Sequence, residues 1–522
     1  MTNIAHIGGE NGFLPSSSET YGDLFDAVTP ARPGEMLDAP LDQPLVLDLD
    51  RTLVRTDLLF ECLAAALARN PLVILFAIFW LMQGKAVLKR RLAQAAALDL
   101  DRLPVNEAVV ALAAREAARG RTIVLATAAD ELMAHRIARR FAFISRVFAS
   151  DGTVNLKGAA KARVLRQAFP GGFVYAGDSH ADLAIWREAS EIVAVGAGAA
   201  TLKAARALGK PMLAMPGTGL SGAVLRKAIR MKQWAKNALV FAPVPLAGLV
   251  FDMSAWGHAL VAFLALSLIA SATYLVNDLF DLADDRQHWT KRNRPLASGA
   301  LRIEYGLVLV PVLALAGFGL AAAAGLKVLA VVALYTVVTL GYSFGLKRVA
   351  ILDVTTLAGL FTLRLFLGVI AIGVVISPWL FVFSMALFLS LSIAKRHTEV
   401  VRAALHGKAK LAGRGYVARD EPLLLAMGMG AAMSAIVLFT LYLTSDAARH
   451  AFYSAPNFLW VTPVALFLWL GRVWLKSQRG ELDDDPVAFA LRDRPSLVLG
   501  GMLGLGFLFA AFGGPLMSAV GL

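Results

Sequence analysis

Residues 277–299 read N-D-L-F-D-L-A-D-D-R-Q-H-W-T-K-R-N-R-P-L-A-S-G and hold four carboxylates, Asp278, Asp281, Asp284 and Asp285, within about two helical turns. Acids packed this closely repel one another, so the pattern needs a positive partner. On a helix Asp278, Asp281 and Asp285 stand at i, i+3 and i+7 and share one face. Hard oxygen ligands converging on one face are the means by which Mg2+ is held against a diphosphate. Lys291, Arg292 and Arg294 follow, placed to meet phosphate oxygens. The alternative is a solvated polar loop, but a loop requires neither this spacing nor a position at the end of a long apolar run, residues 259–276.

A second set of residues lies in the first half of the chain. Residues 45–54 read L-V-L-D-L-D-R-T-L-V, a short β-type apolar run ending in Asp48 and Asp50. T-I-V-L-A-T-A follows at 122–128, K-G-A-A-K at 157–161 and F-V-Y-A-G-D-S-H-A-D at 173–182. Apolar runs that end at polar groups, with helical stretches between them, imply a βα alternation and a parallel sheet whose site lies at the carboxyl ends of its strands. A lone D-x-D is commonly only a capped strand end. The order of all four segments is what points to phosphatase-like chemistry.

The elements that must carry these residues differ between the two halves. Of 522 residues 57% are hydrophobic and only 17% charged, and the mean hydropathy is +0.63, which marks an integral membrane protein. The single cysteine, Cys62, excludes an intramolecular disulfide and a cysteine-based zinc site. A net charge of +13 raises nucleic acid as a partner. The basic residues lie mostly at the ends of apolar runs, however, where anionic headgroups and the positive-inside bias account for them, so membrane lipid is expected instead. Residues 1–40, rich in Ser, Gly, Pro and acids, have neither a basic start nor an apolar core, and read as a flexible tail rather than a signal peptide.

Residues 41–200 then form the α/β domain, 201–224 a linker containing Pro211 and Pro216, and 225–522 an all-α membrane domain. That domain opens on a basic amphipathic helix at 225–236. About nine apolar spans follow, at 237–251, 259–276, 305–323, 326–342, 351–374, 378–393, 423–443, 459–474 and 497–517. The basic residues, among them Arg226, Lys227, Arg230, Lys347 and Arg348, fall in alternate loops, which places the first half and all motifs in the cytoplasm. Nine crossings then leave the C-terminus outside. Within the α/β domain, residues 58–103 insert a helical block where a cap would sit. Its run 71–82, P-L-V-I-L-F-A-I-F-W-L-M, is too short to cross a bilayer of about 30 Å. It reads either as a buried cap helix or as an interfacial helix resting on the membrane, and Lys85, Lys89, Arg90 and Arg91 follow it.

N-D-x-x-D-x-x-x-D followed by R-P-L-A-S-G resembles the first signature of the UbiA superfamily of intramembrane prenyltransferases. The resemblance implies Mg2+ held by Asp278, Asp281 and Asp285, with Asn277, Lys291 and Arg294 beside the diphosphate. Y-S-F-G-L-K at 342–347 and Asp353 form the second signature region, which brings in Tyr342 and Lys347. A second acidic cluster is usual there, and D-V-T-T-L-A-G offers only Asp353. That departure argues against a prenyl diphosphate ionising onto an aromatic or quinone-type acceptor, which is the alternative function. Lys236 and Asn237, A-K-R-H-T-E at 394–399 and D-P-V-A-F-A-L-R-D-R at 485–494 are similar instead to the subgroup that makes polyprenyl-phosphate phosphoribose. This adds Lys395, Arg396, Glu399 and Arg492 as substrate residues, with Lys395 and Arg396 paired with Glu399 and Arg492 with Asp493. The substrates implied are phosphoribosyl diphosphate (PRPP) and a polyprenyl phosphate. A homo-oligomer is a further association the sequence permits.

The ordered segments of the first half resemble the haloacid dehalogenase (HAD) phosphatase superfamily. The resemblance implies Asp48 as nucleophile, Asp50 as general acid and base, and Thr127 and Lys161 as phosphoryl contacts, with Lys157 the substitute for Lys161. Asp178 and Asp182 would complete a Mg2+ site with Asp48 and the Asp50 carbonyl. The chain is thus expected to be a phosphoribosyltransferase fused to a phosphatase. A channel with a regulatory domain is disfavoured, because the acids gather at one membrane face rather than along a midplane path.

Overall fold

The computed structural model describes residues 37–514 apart from 71, 97, 152, 218–219, 376, 408–410, 412–413, 446–452, 483–488 and 491. Most of the expected tail, Leu522 and the start of the 485–494 motif therefore lie outside the described residues. The chain divides into two compact units, Met1–Ala228 with Asp278–Leu307, and Ile229–Asn277 with Val308–Leu522.

The first unit is built on a parallel sheet. Its strands are β1 (Leu45–Leu47), β2 (Ile123–Asp130), β3 (Ile144–Ser150), β4 (Val174–Gly177), β5 (Glu191–Val195) and β6 (Met212–Met215), in the order β3-β2-β1-β4-β5-β6. Alternate residues feed opposite faces: Leu45 and Leu47 join one apolar core with Leu125 and Val174, while Val46 joins another with Val124 and Tyr175. Both faces are buried, which is why the strands read as unbroken apolar runs. The cap consists of α1 (Leu58–Arg69), α2 (Val73–Met82) and α3 (Lys85–Ala95), after which α4 (Glu107–Ala118) leads into β2. Beyond β2 come α5 (Glu131–Ala138), α6 (Ala159–Ala168), α7 (Leu183–Trp186) and α8 (Ala199–Arg206). The stretch 201–224, expected as linker, thus contains most of α8 and the edge strand β6, which pairs with β5. Its prolines flank β6 rather than mark a domain boundary.

The cap run offers a second difference. Helix α2 is not a buried core helix: of its ten residues only Val73 and Ala77 are buried. Leu75, Phe76, Ile78 and Phe79 are each more than half exposed.

The second unit is all-α. The described residues contain eight helices long and apolar enough to cross a membrane: Met253–Phe280, Ile303–Ala324, Leu326–Phe344, Leu352–Ile372, Pro378–Leu405, Ala418–Ser445, Pro456–Gln478 and Arg494–Phe512. The stretch 237–251, expected as the first of nine spans, forms no such helix. A 3-10 helix, Met231–Phe241, gives way to a four-residue α-helix, Pro243–Leu246. Pro243 and Pro245 remove two of the amide donors a continuous α-helix would need.

The acids of 277–299 do not lie on one continuous helix either. Helix Met253–Phe280 stops before Asp281, and a new helix, Leu282–Gln287, begins after it. Four acids at the negative end of one long helix dipole would be unfavourable. The break puts Asp284 and Asp285 in the first turn of a new helix, at its positive end.

Candidate active sites

In the first unit β1 and its neighbour β4 are the strands from which the chain turns to opposite sides of the sheet, so a crevice opens at their carboxyl ends. Asp48 follows β1 and Asp178 follows β4. Asp182 turns back toward both, its Oδ2 accepting from the Asp178 and Ser179 amides at 3.2 and 2.9 Å and from Ser179 Oγ at 2.8 Å. Lys161, buried on α6, donates from Nζ to Asp48 Oδ1 at 2.8 Å, to Tyr175 OH at 2.9 Å and to the Ala126 carbonyl at 3.1 Å. Asp50 Oδ1 accepts the Leu58 amide at 2.8 Å, which ties this carboxyl to the start of α1. A cavity of about 330 Å³ is lined by Asp48, Asp50, Lys157, Lys161, Asp178 and Asp182 from the sheet side. Leu81, Lys85, Leu88 and Lys89 of the cap line it too.

Thr127 is fully buried on β2, where its hydroxyl accepts the Ala129 amide at 2.9 Å, and it is not among the residues lining the cavity. Two lining residues carried no expectation. Arg51, at φ 60° in the left-handed region, stands between Asp57, 3.2 Å away, and Asp178, 3.7 Å away. Lys89 reaches from α3 to the Ala128 carbonyl at 2.6 Å and to Asn155 Oδ1 at 3.1 Å.

The electrostatics separate the roles of these acids. Burial, with Asp57 and Asp48 adding to it, pushes the Asp50 carboxyl well above the usual carboxylate range and so favours its protonated form. Burial also raises Asp48, but the Lys161 ammonium opposes this and favours the ionised form. Asp178 is pushed up to about 7, first by burial and then by Asp48 and Asp182. Oxygens of Asp48, Asp178 and Asp182 lie within 4.8 Å of one another. Three buried carboxylates at this separation form an oxygen-only donor set with surplus negative charge, which fits a hard divalent cation such as Mg2+.

The same unit contains the acidic segment 278–307. Arg294 Nη1 donates to Asp278 Oδ1 at 2.9 Å and to Asp285 Oδ2 at 2.5 Å, so the positive partner of these two acids is a guanidinium. Asp285 is buried, which raises its carboxyl against the opposing pull of Arg294. Its Oδ1 is a buried atom without a hydrogen bond, with Lys291 Nζ 3.9 Å away. Asp281 sits half-buried at the helix break and Asn277 half-buried one turn before it.

In the second unit the expected residues gather around Asp353, which is fully buried. Arg396 Nε donates to its Oδ2 at 2.5 Å, and Arg396 also pairs with Glu399. Tyr342 OH donates to Asp353 Oδ1 at 2.8 Å. Arg414 reaches the same oxygen at 3.1 Å and Tyr342 OH at 2.9 Å. Lys347 contributes its carbonyl to this group, accepting from Arg414 at 3.4 Å, and Lys236 and Lys395 are half-buried. Arg492 is exposed, and the expected pair with Asp493 is not formed. Asp493 caps helix Arg494–Phe512, where its carboxylate receives Arg472 at 2.8 Å on each oxygen and is held below the usual range. A residue beginning a helix turns its carboxylate onto the first free amides and away from its chain neighbour.

A second buried arginine, Arg364, lies within span Leu352–Ile372. It donates to Asn237 Oδ1 at 2.9 Å, Tyr335 OH at 2.9 Å and the Leu360 carbonyl at 2.6 Å, all neutral acceptors. Its sequence signal is plain, a lone arginine inside an apolar run.

The family model for UbiA prenyltransferases matches residues 239–493. The uncharacterized protein y4nM of Sinorhizobium fredii is 39% identical over 90% of this chain and 91% of its own length. Nodulation protein NoeC of Azorhizobium caulinodans is 31% identical over 54% of this chain and 92% of its own. Decaprenyl-phosphate phosphoribosyltransferase of Corynebacterium glutamicum is 31% identical over 44% of this chain and 70% of its own.

Proposed function

The chain belongs to the UbiA prenyltransferase family, and we propose that it transfers 5-phosphoribose from PRPP to a polyprenyl phosphate and then removes the 5-phosphate at its HAD-like site. The observation that carries this reading is the environment of Asp353. Bonded to Arg396 and Arg414, this carboxylate is neutralised by guanidinium groups rather than paired with a second acid for a second metal. That suits recognition of a phosphorylated sugar better than ionisation of a prenyl diphosphate.

In the transfer, the bond from ribose C1 to the diphosphate oxygen breaks, a bond from C1 to a lipid phosphate oxygen forms, and diphosphate leaves. Asp278, Asp281 and Asp285 would hold Mg2+, and the buried oxygen of Asp285 without a hydrogen bond supports that fit. Bound there, the ion would supply charge to the departing diphosphate. Lys291 and Arg294 would bind its oxygens, while Lys236, Asn277, Lys347, Lys395 and Arg492 are the remaining phosphate and ribose contacts. The lipid product still carries a phosphomonoester. At the HAD-like site Asp48, oriented by Lys161, attacks that phosphorus to give an aspartyl-phosphate, and Asp50 protonates the departing ribose oxygen. Asp50 then takes a proton from the water that hydrolyses the acyl phosphate. Asp48, Asp178 and Asp182 would hold a second Mg2+, which neutralises phosphoryl charge.

Both sets of residues are cytoplasmic in this proposal. The chain leaves the first unit after Ala228 and returns to it at Asp278. A crossing by Met253–Phe280 then needs a return crossing between 229 and 252. That return would be made by 237–252, which holds the end of the 3-10 helix and the short α-helix, with Lys236 left at its cytoplasmic end. The count of crossings becomes nine, with the C-terminus outside.

Membranes containing the protein, given PRPP labelled in the ribose and a polyprenyl phosphate, should carry label into the lipid phase. Asp281→Asn, which removes a hard anionic ligand, should lower that labelling by about a hundredfold or more. Labelling at the unmodified rate by Asp281→Asn would overturn the metal assignment. Lipid product from a prenyl diphosphate and an aromatic acceptor, with none from PRPP, would overturn the transferase reading.

A further inference from the structure

Helix α2 reads V-I-L-F-A-I-F-W-L-M, ten residues without one charged side chain. Val73 and Ala77, one turn apart, anchor it to the core of the first unit with the half-buried Trp80 beside them, and the other side chains of the helix are exposed. Leu75 is 63% exposed, Phe79 57% and Met82 82%. Isolated apolar residues on a surface are ordinary, but a continuous patch over most of a helix is not tolerated by a protein surrounded by water. The helix is about 15 Å long, half of what a crossing requires. Its sequel is basic, with Lys85 and Arg91 exposed on α3. The unit that carries α2 is joined through the chain to eight membrane spans, so a bilayer is always within reach.

We propose that α2 is seated in the bilayer, its apolar circumference in the acyl region and Lys85 and Arg91 against anionic headgroups, and that it brings the HAD-like cavity to the membrane surface for a lipid-borne phosphomonoester. The link between helix and cavity is direct. Leu81, in the last turn of α2, and Lys85, in the first turn of α3, line the same cavity as Asp48 and Asp178. An acyl-seated α2 therefore fixes this wall of the cavity at headgroup depth. A phosphate carried on a membrane lipid reaches Asp48 without the lipid tail leaving the bilayer, so no hydrocarbon need be exposed to water. The substrate side of this inference rests on the phosphatase reading above; the seating of α2 does not.

The test uses the full chain reconstituted in nanodiscs. Cys62 is the only native cysteine and is buried. Phe79→Cys therefore takes an environment-sensitive fluorophore at one position, and Arg206→Cys on α8 serves as the aqueous control. The Phe79 label should be quenched by nitroxides on lipid acyl chains and shielded from iodide, with the Arg206 label showing the reverse. Equal iodide quenching at both positions overturns the proposal. So does shielding without acyl-chain quenching, which would mean a protein cover, either a second copy or the chain itself. In a second measurement Leu75→Asp/Phe79→Asp should hydrolyse p-nitrophenyl phosphate at the unmodified rate but phosphatidic acid in vesicles about tenfold more slowly. Equal loss on both substrates, or on neither, overturns the substrate side. If the unmodified protein hydrolyses neither compound, the phosphatase reading fails and the quenching result stands by itself.

Discussion

Arg286 and Glu61, 225 positions apart in sequence, form a two-pronged buried ion pair, with Nη2 to Oε1 at 2.5 Å and Nη1 to Oε2 at 3.0 Å. Glu61 lies on α1, where Thr56 Oγ1 also donates to it at 2.7 Å. Arg286 lies on the short helix that follows Asp281 and donates from Nε to the Ala297 carbonyl as well. The segment that carries the first UbiA signature is thus docked on the cap of the first unit. One end of α1 holds Asp50 through the Leu58 amide, and one turn later the same helix holds Arg286. Glycine is required at this junction: Gly299 has φ 72°, and a Cβ there would lie 2.7 Å from Arg55 Cβ.

Removing one partner leaves the other charge buried and uncompensated. Glu61→Gln or Arg286→Met alone is expected to destabilise the first unit by about 3 kcal/mol and to open residues 278–307 to protease. The pair Glu61→Gln/Arg286→Met should cost less than the sum of the two, because no stranded charge remains. Additive losses in thermal unfolding would show that the two groups are not coupled.

Gly177, the last residue of β4, offers a second test. A Cβ at this position would stand 2.8 Å from the Asp182 carboxylate and 2.8 Å from the Tyr175 ring. Asp182 cannot yield freely, since Ser179 and Tyr175 hold it. Gly177→Ala should therefore displace a carboxylate of the proposed metal set, weaken Mg2+ binding there by about tenfold or more, and lower the proposed phosphatase activity with it. Labelling of lipid from PRPP should be unchanged. Unaltered Mg2+ dependence of phosphatase activity would remove Asp182 from the metal set.

Cys62 lines the cavity yet should be inert. Burial, with Glu61 and Asp50 adding to it, pushes its thiol up to about 12. Raising the pKa disfavours the reactive thiolate, so at pH 8 only about one molecule in ten thousand carries it. Iodoacetamide at that pH should leave the mass of the folded protein unchanged and add one carbamidomethyl group after unfolding. Modification of the folded protein within minutes would mean that the cap opens readily.

Much of this was legible in the sequence, and the gaps have physical causes. Asp48, Asp178 and Asp182 were readable because each follows, or lies just beyond, a strand whose apolar pattern is local, and Lys161 because its segment resembles a known motif. Asp353, Tyr342 and Arg396 were readable from the resemblance of their segments to family signatures. Arg414 was not, because it comes from a polar loop in which one arginine looks like another. Arg364 was overlooked although it stands alone in an apolar span, where an ionisable group is costly unless it is used. The break at Asp281 was hidden because helical spacing assumes a continuous helix. Strand β6 was masked by its flanking prolines. The exposure of α2 could not be read at all, since an apolar run of that length fits a core and an interface equally well.

The decisive test of the two-step reaction is the product itself. PRPP carries a 5-phosphate that stays on the ribose when C1 moves to the lipid phosphate, so the transferase product is one phosphoryl group heavier than the final lipid. In the proposed reaction Asp48, bonded by Lys161 at 2.8 Å, would be the nucleophile for that group. Asp48→Asn substitutes a carboxamide, a poor nucleophile, and also removes one of the three carboxylates of the metal set. Hydrolysis should fall by about a thousandfold or more, while transfer is unaffected. Mass spectrometry of lipids from membranes given PRPP should find the dephosphorylated species with the unmodified protein and the phosphorylated one with Asp48→Asn. Because both sites belong to one chain, the intermediate is presented at high effective concentration, and little of it should accumulate in the unmodified protein. If both proteins release the same phosphorylated lipid, the two sites are not consecutive catalysts, and the first unit serves another substrate or only a structural role.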